Sequence, residues 1–168
     1  MKSPHKIIAA SLAILLSGAS LAGAGVGVGQ PFPNLSDFAL TAGSLPSLSG
    51  RVVLVDFWAT WCSPCRSSFP AYGALQNEFG DRGLTIVGVS VDQDGTAYAD
   101  FLDKYSPAFV TVRDAQQQLV TAVRPPAMPT CFLIDQHGVV RAVHSGFHGK
   151  STLRELRNEI TKLLEEKP

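Results

Sequence analysis

The hydrophobic and polar positions of this chain follow two different periods. Three short runs of apolar, mostly β-branched or aromatic residues predict buried strands: 52–57, 84–91 and 131–135. Three longer segments place apolar residues three to four positions apart, as on one face of a helix: 65–79, 96–105 and 151–165. This alternation predicts an α/β fold in which helices flank a central mixed sheet, with a parallel βαβ start and an antiparallel hairpin near the end.

Two cysteines, Cys62 and Cys65, lie where the first predicted strand gives way to a helix. The free N–H groups and the dipole of a helix N-terminus favour an anion, and the thiolate is the attacking form of cysteine. Cys65 lies one turn deeper on the same face, where it can close a disulfide with Cys62. Half of a zinc site is the alternative, but Cys131 is alone and His144 and His148 are distant in the chain. The ligand count therefore favours a redox dithiol.

The stretch 57–65, FWATWCSPC, resembles thioredoxin-fold proteins and most of all the TlpA/ResA-like extracytoplasmic thiol-disulfide oxidoreductases. Further matches extend the resemblance over roughly 29–165. It implies a thioredoxin-like fold with Cys62 and Cys65 as catalytic residues and Cys62–Cys65 as the redox disulfide. It also implies neither a metal nor another cofactor, because the cysteines themselves carry the electrons.

Two further segments refine this resemblance. The segment 97–114 predicts an additional helix–strand insertion in the centre of the chain, which TlpA-like proteins have and thioredoxin lacks. The N-terminal extension, 30–50, matches a small hairpin of the family, and Phe38 and Leu40 alternate there like a short edge strand. We therefore expect the TlpA-like branch of the superfamily.

Asp56 interrupts the first apolar run. A carboxylate inside a buried strand is costly unless it is protonated, paired or functional. One interpretation is an acid at the strand end that reaches solvent or caps the next helix. The other is a buried proton acceptor for Cys65 with a raised pKa, and the resemblance favours it because Asp56 aligns with the buried acid of thioredoxin.

The resemblance also implies a substrate-binding surface. Met128, Pro129 and Thr130 match a cis-proline loop of the family, where the backbone of Met128 would pair with an extended substrate chain; a turn with a trans proline is the alternative. Trp61 either packs or forms a rim that contacts the substrate, whereas Trp58 is expected in the core.

Three remaining features have simpler interpretations. Cys131 is expected as a buried core residue, with a reshuffling third thiol as the alternative. His144 and His148 are expected in a loop without a metal. The acidic stretch 92–95 predicts a turn before a helix capped by Thr96.

The first 24 residues carry a short basic start, an apolar run and Ala22-Gly23-Ala24, the three parts of a secretory signal peptide. An uncleaved N-terminal anchor is the alternative, because no charge appears from Ile7 to Gly29. We expect residues 25–168 to form one thioredoxin-like domain, periplasmic or otherwise extracytoplasmic. The 14 basic and 14 acidic residues balance, and no basic stripe indicates nucleic acid.

These observations predict a monomeric thiol-disulfide oxidoreductase that acts on protein thiols and disulfides. Family resemblance favours the reducing direction, as in cytochrome c maturation or the reduction of metal-site thiols, with electrons from a membrane donor. A protein-thiol oxidant or isomerase would use the same residues. A Cu(I)-delivery module, with the two cysteines and His144 as soft ligands, is the alternative from another class.

Overall fold

The computed structural model describes residues 25–166, so the predicted leader, 1–24, lies outside the described residues. Five strands form the sheet: β1 (Val52–Trp58), β2 (Leu84–Ser90), β3 (Val110–Arg113), β4 (Thr130–Ile134) and β5 (Val140–Ser145). Within the described residues, four helices accompany them: α1 (Ser63–Phe79), α2 (Gly95–Tyr105), α3 (Gln118–Val123) and α4 (Lys150–Glu165). Two short 3₁₀ helices lie at Leu35–Asp37 and Gly80–Arg82.

The sheet has the order β3-β2-β1-β4-β5. Strands β1, β2 and β3 are parallel, whereas β4 runs antiparallel to both β1 and β5. Every residue of the central strand β1 is buried, as expected for a strand with both faces covered. The predicted mixed sheet, the central helix–strand insertion and the thioredoxin-like architecture are confirmed.

Local sequence explains where the first two helices begin and end. Cys62 is the N-cap of α1 and Pro64 lies in its first turn, where a missing N–H group has no cost. Pro70 lies inside this helix, which continues to Phe79. Helix α2 begins at Gly95, because the Asp94 carboxylate accepts hydrogen bonds from the amides of Thr96 and Ala97. The predicted cap at Thr96 was wrong by two residues.

The N-terminal extension differs from the expected hairpin. The predicted edge strand at Phe38 is absent, because the amide of Leu40 donates to the Phe38 carbonyl within the segment itself (2.8 Å). The extension instead forms two isolated antiparallel bridges, Pro31 with Val139 and Thr41 with Arg113. It therefore touches both ends of the sheet.

The core beside the cysteine helix is aromatic. Trp58 of β1 is fully buried, and its ring lies 4.8 Å from the rings of Phe69 in α1 and Phe101 in α2. These contacts fix α1 and α2 against the end of β1 that leads into the cysteines. Among residues 25–166, no helix combines the length and the apolar character that crossing a membrane requires.

Candidate active site

Four loops meet at one edge of the sheet. The carboxyl ends of the parallel strands β1 and β2 lie there, followed by Cys62 and Asp92 respectively. The register pairs Phe57 with Thr130 and Thr130 with Ser145, so the start of β4 and the end of β5 lie at the same edge. The cysteines and the predicted cis-proline loop are therefore brought together by sheet topology.

The two cysteines form a disulfide at the start of α1. The Cys65 amide donates to the Cys62 sulfur at 3.3 Å. Cys62 is 4 % exposed and Cys65 is fully buried, so an incoming thiol or disulfide meets Cys62 first. A thiolate at Cys62 would lie at the positive end of the helix dipole, which stabilises an anion.

The two tryptophans that flank this site have different environments. Trp58 is fully buried, as predicted, whereas Trp61 is 69 % exposed directly beside Cys62. An exposed aromatic ring of this size is uncommon on a surface without a partner. Its exposure favours the substrate-rim interpretation over packing.

The loop before β4 contains a cis peptide bond between Met128 and Pro129. The Gly146 amide donates to the Pro129 carbonyl at 2.7 Å and ties the loop to β5. Thr130 is fully buried, and its hydroxyl donates to the Ala127 carbonyl at 2.8 Å. The Thr130 side chain therefore shapes the loop from inside, and the substrate contact of Thr130 stays a prediction. Within residues 25–166 the backbone amide and carbonyl of Met128 make no backbone hydrogen bond.

Asp56 lies in the middle of β1 and has no exposed surface, so the interpretation as a solvent-reaching acid at the strand end was wrong. The Tyr72 hydroxyl donates to its Oδ1 at 3.3 Å, and Oδ2 has no hydrogen-bond partner among the described residues. Burial raises the pKa of Asp56 well above the ordinary aspartate value, and the Tyr72 hydrogen bond acts in the opposite direction.

Cys131 lies directly across from Asp56 in the β1–β4 register and is buried, as predicted. Burial, and then the nearby Asp56 charge, raise the pKa of its thiol, while a hydrogen bond with Tyr72 lowers it. Cys131 is thus an inert thiol at ordinary pH. Asp56, Tyr72 and Cys131 form one buried polar cluster under the cysteine helix.

Asp92 is a site residue that the sequence did not indicate, because it was assigned to a turn. Its carboxylate accepts hydrogen bonds from the Thr60 amide (2.9 Å), the Thr60 hydroxyl (2.8 Å) and the Ser90 hydroxyl (2.7 Å). Thr60 lies two residues before Cys62, so Asp92 holds the loop that presents the disulfide. No local pattern could show this contact, which spans 32 residues.

His144 was predicted in a loop but lies in β5, opposite Cys131. Its Nε2 is 2.7 Å from the Glu159 carboxylate of α4. The side chain is thereby engaged with a helix and not with the cysteine loop, which gives no support to a His-assisted copper site. In the part of the chain that the structure describes, no group of three or more potential ligands could hold a metal ion.

Comparisons with known proteins agree with this geometry. The Redoxin family model matches residues 27–160. The thiol-disulfide oxidoreductase ResA of Bacillus subtilis is 34% identical over 116 residues, which cover 69% of this chain and 65% of ResA. The thioredoxin-like protein YneN of the same organism is 32% identical over 136 residues, covering 78% of this chain and 79% of YneN.

A solved structure shows the same fold. The Chlorobium tepidum protein provisionally assigned as the thiol:disulfide interchange protein DsbE superposes with a TM-score of 0.75 at 30% identity, over 83% of this chain and 99% of that protein. The family match, these relatives and the disulfide at the start of α1 lead to one assignment. The chain belongs to the Redoxin family and, within the thioredoxin superfamily, to the TlpA/ResA-like thiol-disulfide oxidoreductases.

Proposed function

We propose that this protein reduces disulfides of protein substrates outside the cytoplasm by thiol–disulfide exchange at Cys62 and Cys65. The observation that carries the proposal is the asymmetry of the pair: Cys62 caps helix α1 and is slightly exposed, whereas Cys65 is fully buried. Only Cys62 can meet a large substrate, and only Cys65 is placed to displace that substrate afterwards.

The reaction has two balanced steps. The Cys62 thiolate attacks one sulfur of the substrate disulfide; that S–S bond breaks, a mixed disulfide forms, and the released substrate thiolate takes a proton. Asp56 then accepts the proton of Cys65, and the Cys65 thiolate attacks the Cys62 sulfur. The mixed disulfide breaks, the second substrate thiol leaves, and two electrons have passed from the dithiol to the substrate.

The substrate would be held by backbone pairing and one aromatic contact. The amide and carbonyl of Met128, which have no backbone partner within residues 25–166, offer an extended chain two main-chain hydrogen bonds. The adjacent Pro129 has no N–H group, and the exposed Trp61 ring forms the opposite rim. Such contacts recognise the main chain of the substrate and not a particular side chain. They are therefore suited to protein substrates of different sequence.

The reducing direction requires electrons from outside this chain. Because the leader sequence favours export, we infer that a membrane protein supplies these electrons. We also infer that the chain acts as a monomer. The reduction potential of the Cys62–Cys65 pair is the direct test. A value near thioredoxin's, about −270 mV, is expected for a reductase, whereas a value near about −120 mV would make it a disulfide donor and overturn the proposed direction.

A trapping experiment tests the roles of the two cysteines. With Cys65→Ser, a disulfide-containing peptide should remain covalently bound through Cys62, because the resolving thiol is missing. Cys131→Ser is the matched control, since it removes a buried thiol and should release the peptide normally. The assignment fails if the Cys65→Ser protein accumulates no mixed disulfide. That result is the one expected of a copper carrier.

A further inference from the structure

Tyr72 lies on α1, seven residues after Cys65, and is 1 % exposed. Its hydroxyl donates to Asp56 Oδ1 at 3.3 Å. The ring is held edge-on between Phe109 and Phe147, with centroid distances of 6.3 Å and 6.0 Å. The phenol is therefore fixed against the carboxyl group from the helix that carries both reactive cysteines.

The other neighbours of Asp56 leave this phenol as its main polar contact. On the β2 side the paired residue is Gly88, which has no side chain. On the β4 side it is Cys131, a weak hydrogen-bonding group. Beyond Cys131, His144 of β5 lies with its Nε2 2.7 Å from the Glu159 carboxylate of α4. Helix α1, which carries Tyr72, begins at the Cys62–Cys65 disulfide.

A hydroxyl that donates to a carboxyl group stabilises its ionised form more than its neutral form. Here that donor is the only hydrogen-bond partner of the Asp56 side chain among residues 25–166, since Oδ2 has none. Burial favours the protonated acid and is the largest influence on the pKa of Asp56. The single hydrogen bond from Tyr72 opposes it. The balance between the two decides the pH at which Asp56 becomes a carboxylate.

We propose that Tyr72 is a positioning residue that holds the Asp56 carboxylate and so sets the pH above which Asp56 can accept a proton. The consequence for catalysis rests on the proposed function, in which that proton comes from Cys65. The chain would then tune its resolving step through a helix residue that touches neither sulfur.

The test is the titration of Asp56 in the oxidised protein, followed by NMR of ¹³C-labelled aspartate carboxyl groups. Tyr72→Phe keeps the ring and removes the donor, so the Asp56 titration should move upward by about one pH unit. Tyr98→Phe is the matched control, because the hydroxyl of this second buried tyrosine hydrogen-bonds instead with the Thr111 hydroxyl on β3 (3.0 Å) and the Ala42 carbonyl (3.2 Å). In the Tyr98→Phe variant, Asp56 should titrate at the same pH as in the unmodified protein.

A second variant guards against a folding defect. Placing 3-fluorotyrosine at position 72 makes the phenol a stronger donor without altering the packing, so the Asp56 titration should move downward. The inference is overturned if Tyr72→Phe and 3-fluorotyrosine both leave the titration unchanged, or if Tyr98→Phe moves it equally.

A kinetic measurement separates this inference from the proposed function. The rate at which the reduced protein cleaves a peptide disulfide should rise with pH, and Tyr72→Phe should shift that rise to higher pH by the same amount as the NMR titration. If the NMR titration moves and the rate profile does not, Tyr72 still positions Asp56, but Asp56 does not accept the proton of Cys65.

Discussion

Asp56 shows how one residue can oppose folding and still be retained in a core. An acid whose pKa is higher in the folded than in the unfolded state binds more protons when folded. The free energy of unfolding therefore falls as the pH rises from the ordinary aspartate pKa of 3.8 toward the raised value in the fold. Each pH unit in this window costs about 1.4 kcal/mol.

We expect Asp56→Asn to stabilise the oxidised protein at neutral and alkaline pH, because the neutral amide removes this cost while it keeps an oxygen for the Tyr72 hydroxyl. The gain should shrink as the pH is lowered and disappear below about pH 3.8, where wild-type Asp56 is protonated in both states. Urea unfolding of the oxidised protein across this pH range measures it. Asp37→Asn, at an exposed carboxylate, is the control.

Two outcomes would contradict this account of Asp56. A stability gain that is independent of pH would show that the amide improves packing and that no buried charge is being removed. A loss of stability at about pH 8 would show that the carboxylate is well stabilised inside the fold. The same variant should slow disulfide cleavage, so stability and activity would change in opposite directions.

At the scale of elements, the loop between β1 and α1 is held by a residue from the end of β2. Asp92 is nearly buried and accepts hydrogen bonds from both the amide and the hydroxyl of Thr60. The loop carries the exposed Trp61 and then Cys62, so its position decides how the disulfide is presented.

We expect Asp92→Asn to destabilise the protein by about 1–3 kcal/mol, because an amide replaces one accepting oxygen and leaves a buried donor without a partner. Hydrogen exchange at the Thr60 amide should accelerate, and disulfide cleavage should slow. Asp94→Asn is the matched control two residues away, since asparagine caps a helix as well as aspartate does. Equal effects of both substitutions would remove the special role of Asp92.

The sequence predicted the elements better than their contacts. The run 52–57 and the Cys-x-x-Cys pair were sufficient to place the strand, the helix and the reactive group, because those signals are local. The environment of Asp56 depends on the β1–β4 register and on which face of α1 carries Tyr72. Neither is encoded within a short window, so the polar cluster appeared only in three dimensions.

The errors in prediction have the same origin. The alternation at Phe38 is typical of a strand, but a strand exists only where a neighbouring strand pairs with it. His144 was assigned to the loop after the last strand, yet β5 continues to Ser145 along β4. Long-range pairing, absent at Phe38 and present at His144, decided the local structure at both positions.

For the whole molecule, the N-terminal extension links the two outer regions of the sheet. Gly29 and Gln30 exchange backbone hydrogen bonds with Val140 at the start of β5. Thr41 exchanges two with Arg113 at the end of β3. The extension thereby contacts both outer strands of the sheet. It covers backbone groups there that could otherwise pair with another molecule.

We expect deletion of residues 1–43 to lower the melting temperature by about 10 °C or more, because several backbone hydrogen bonds and the packing beneath them are lost. The shortened protein should also form oligomers as its concentration rises, since its sheet edges become available. Thermal unfolding and size-exclusion chromatography measure both effects. The matched control lacks only residues 1–24; a shortened protein as stable and monomeric as this control would contradict the bridging role.

The burial of Cys131 makes this thiol a natural probe of unfolding kinetics. An alkylating reagent can reach this thiol only in molecules whose sheet has opened. In the oxidised protein, in which Cys62 and Cys65 are joined in a disulfide, the rate at which the mass of one label appears would therefore report the opening of β4 against β1. Alkylation of Cys131 can thus measure the unfolding rate of the natural sequence without an introduced cysteine.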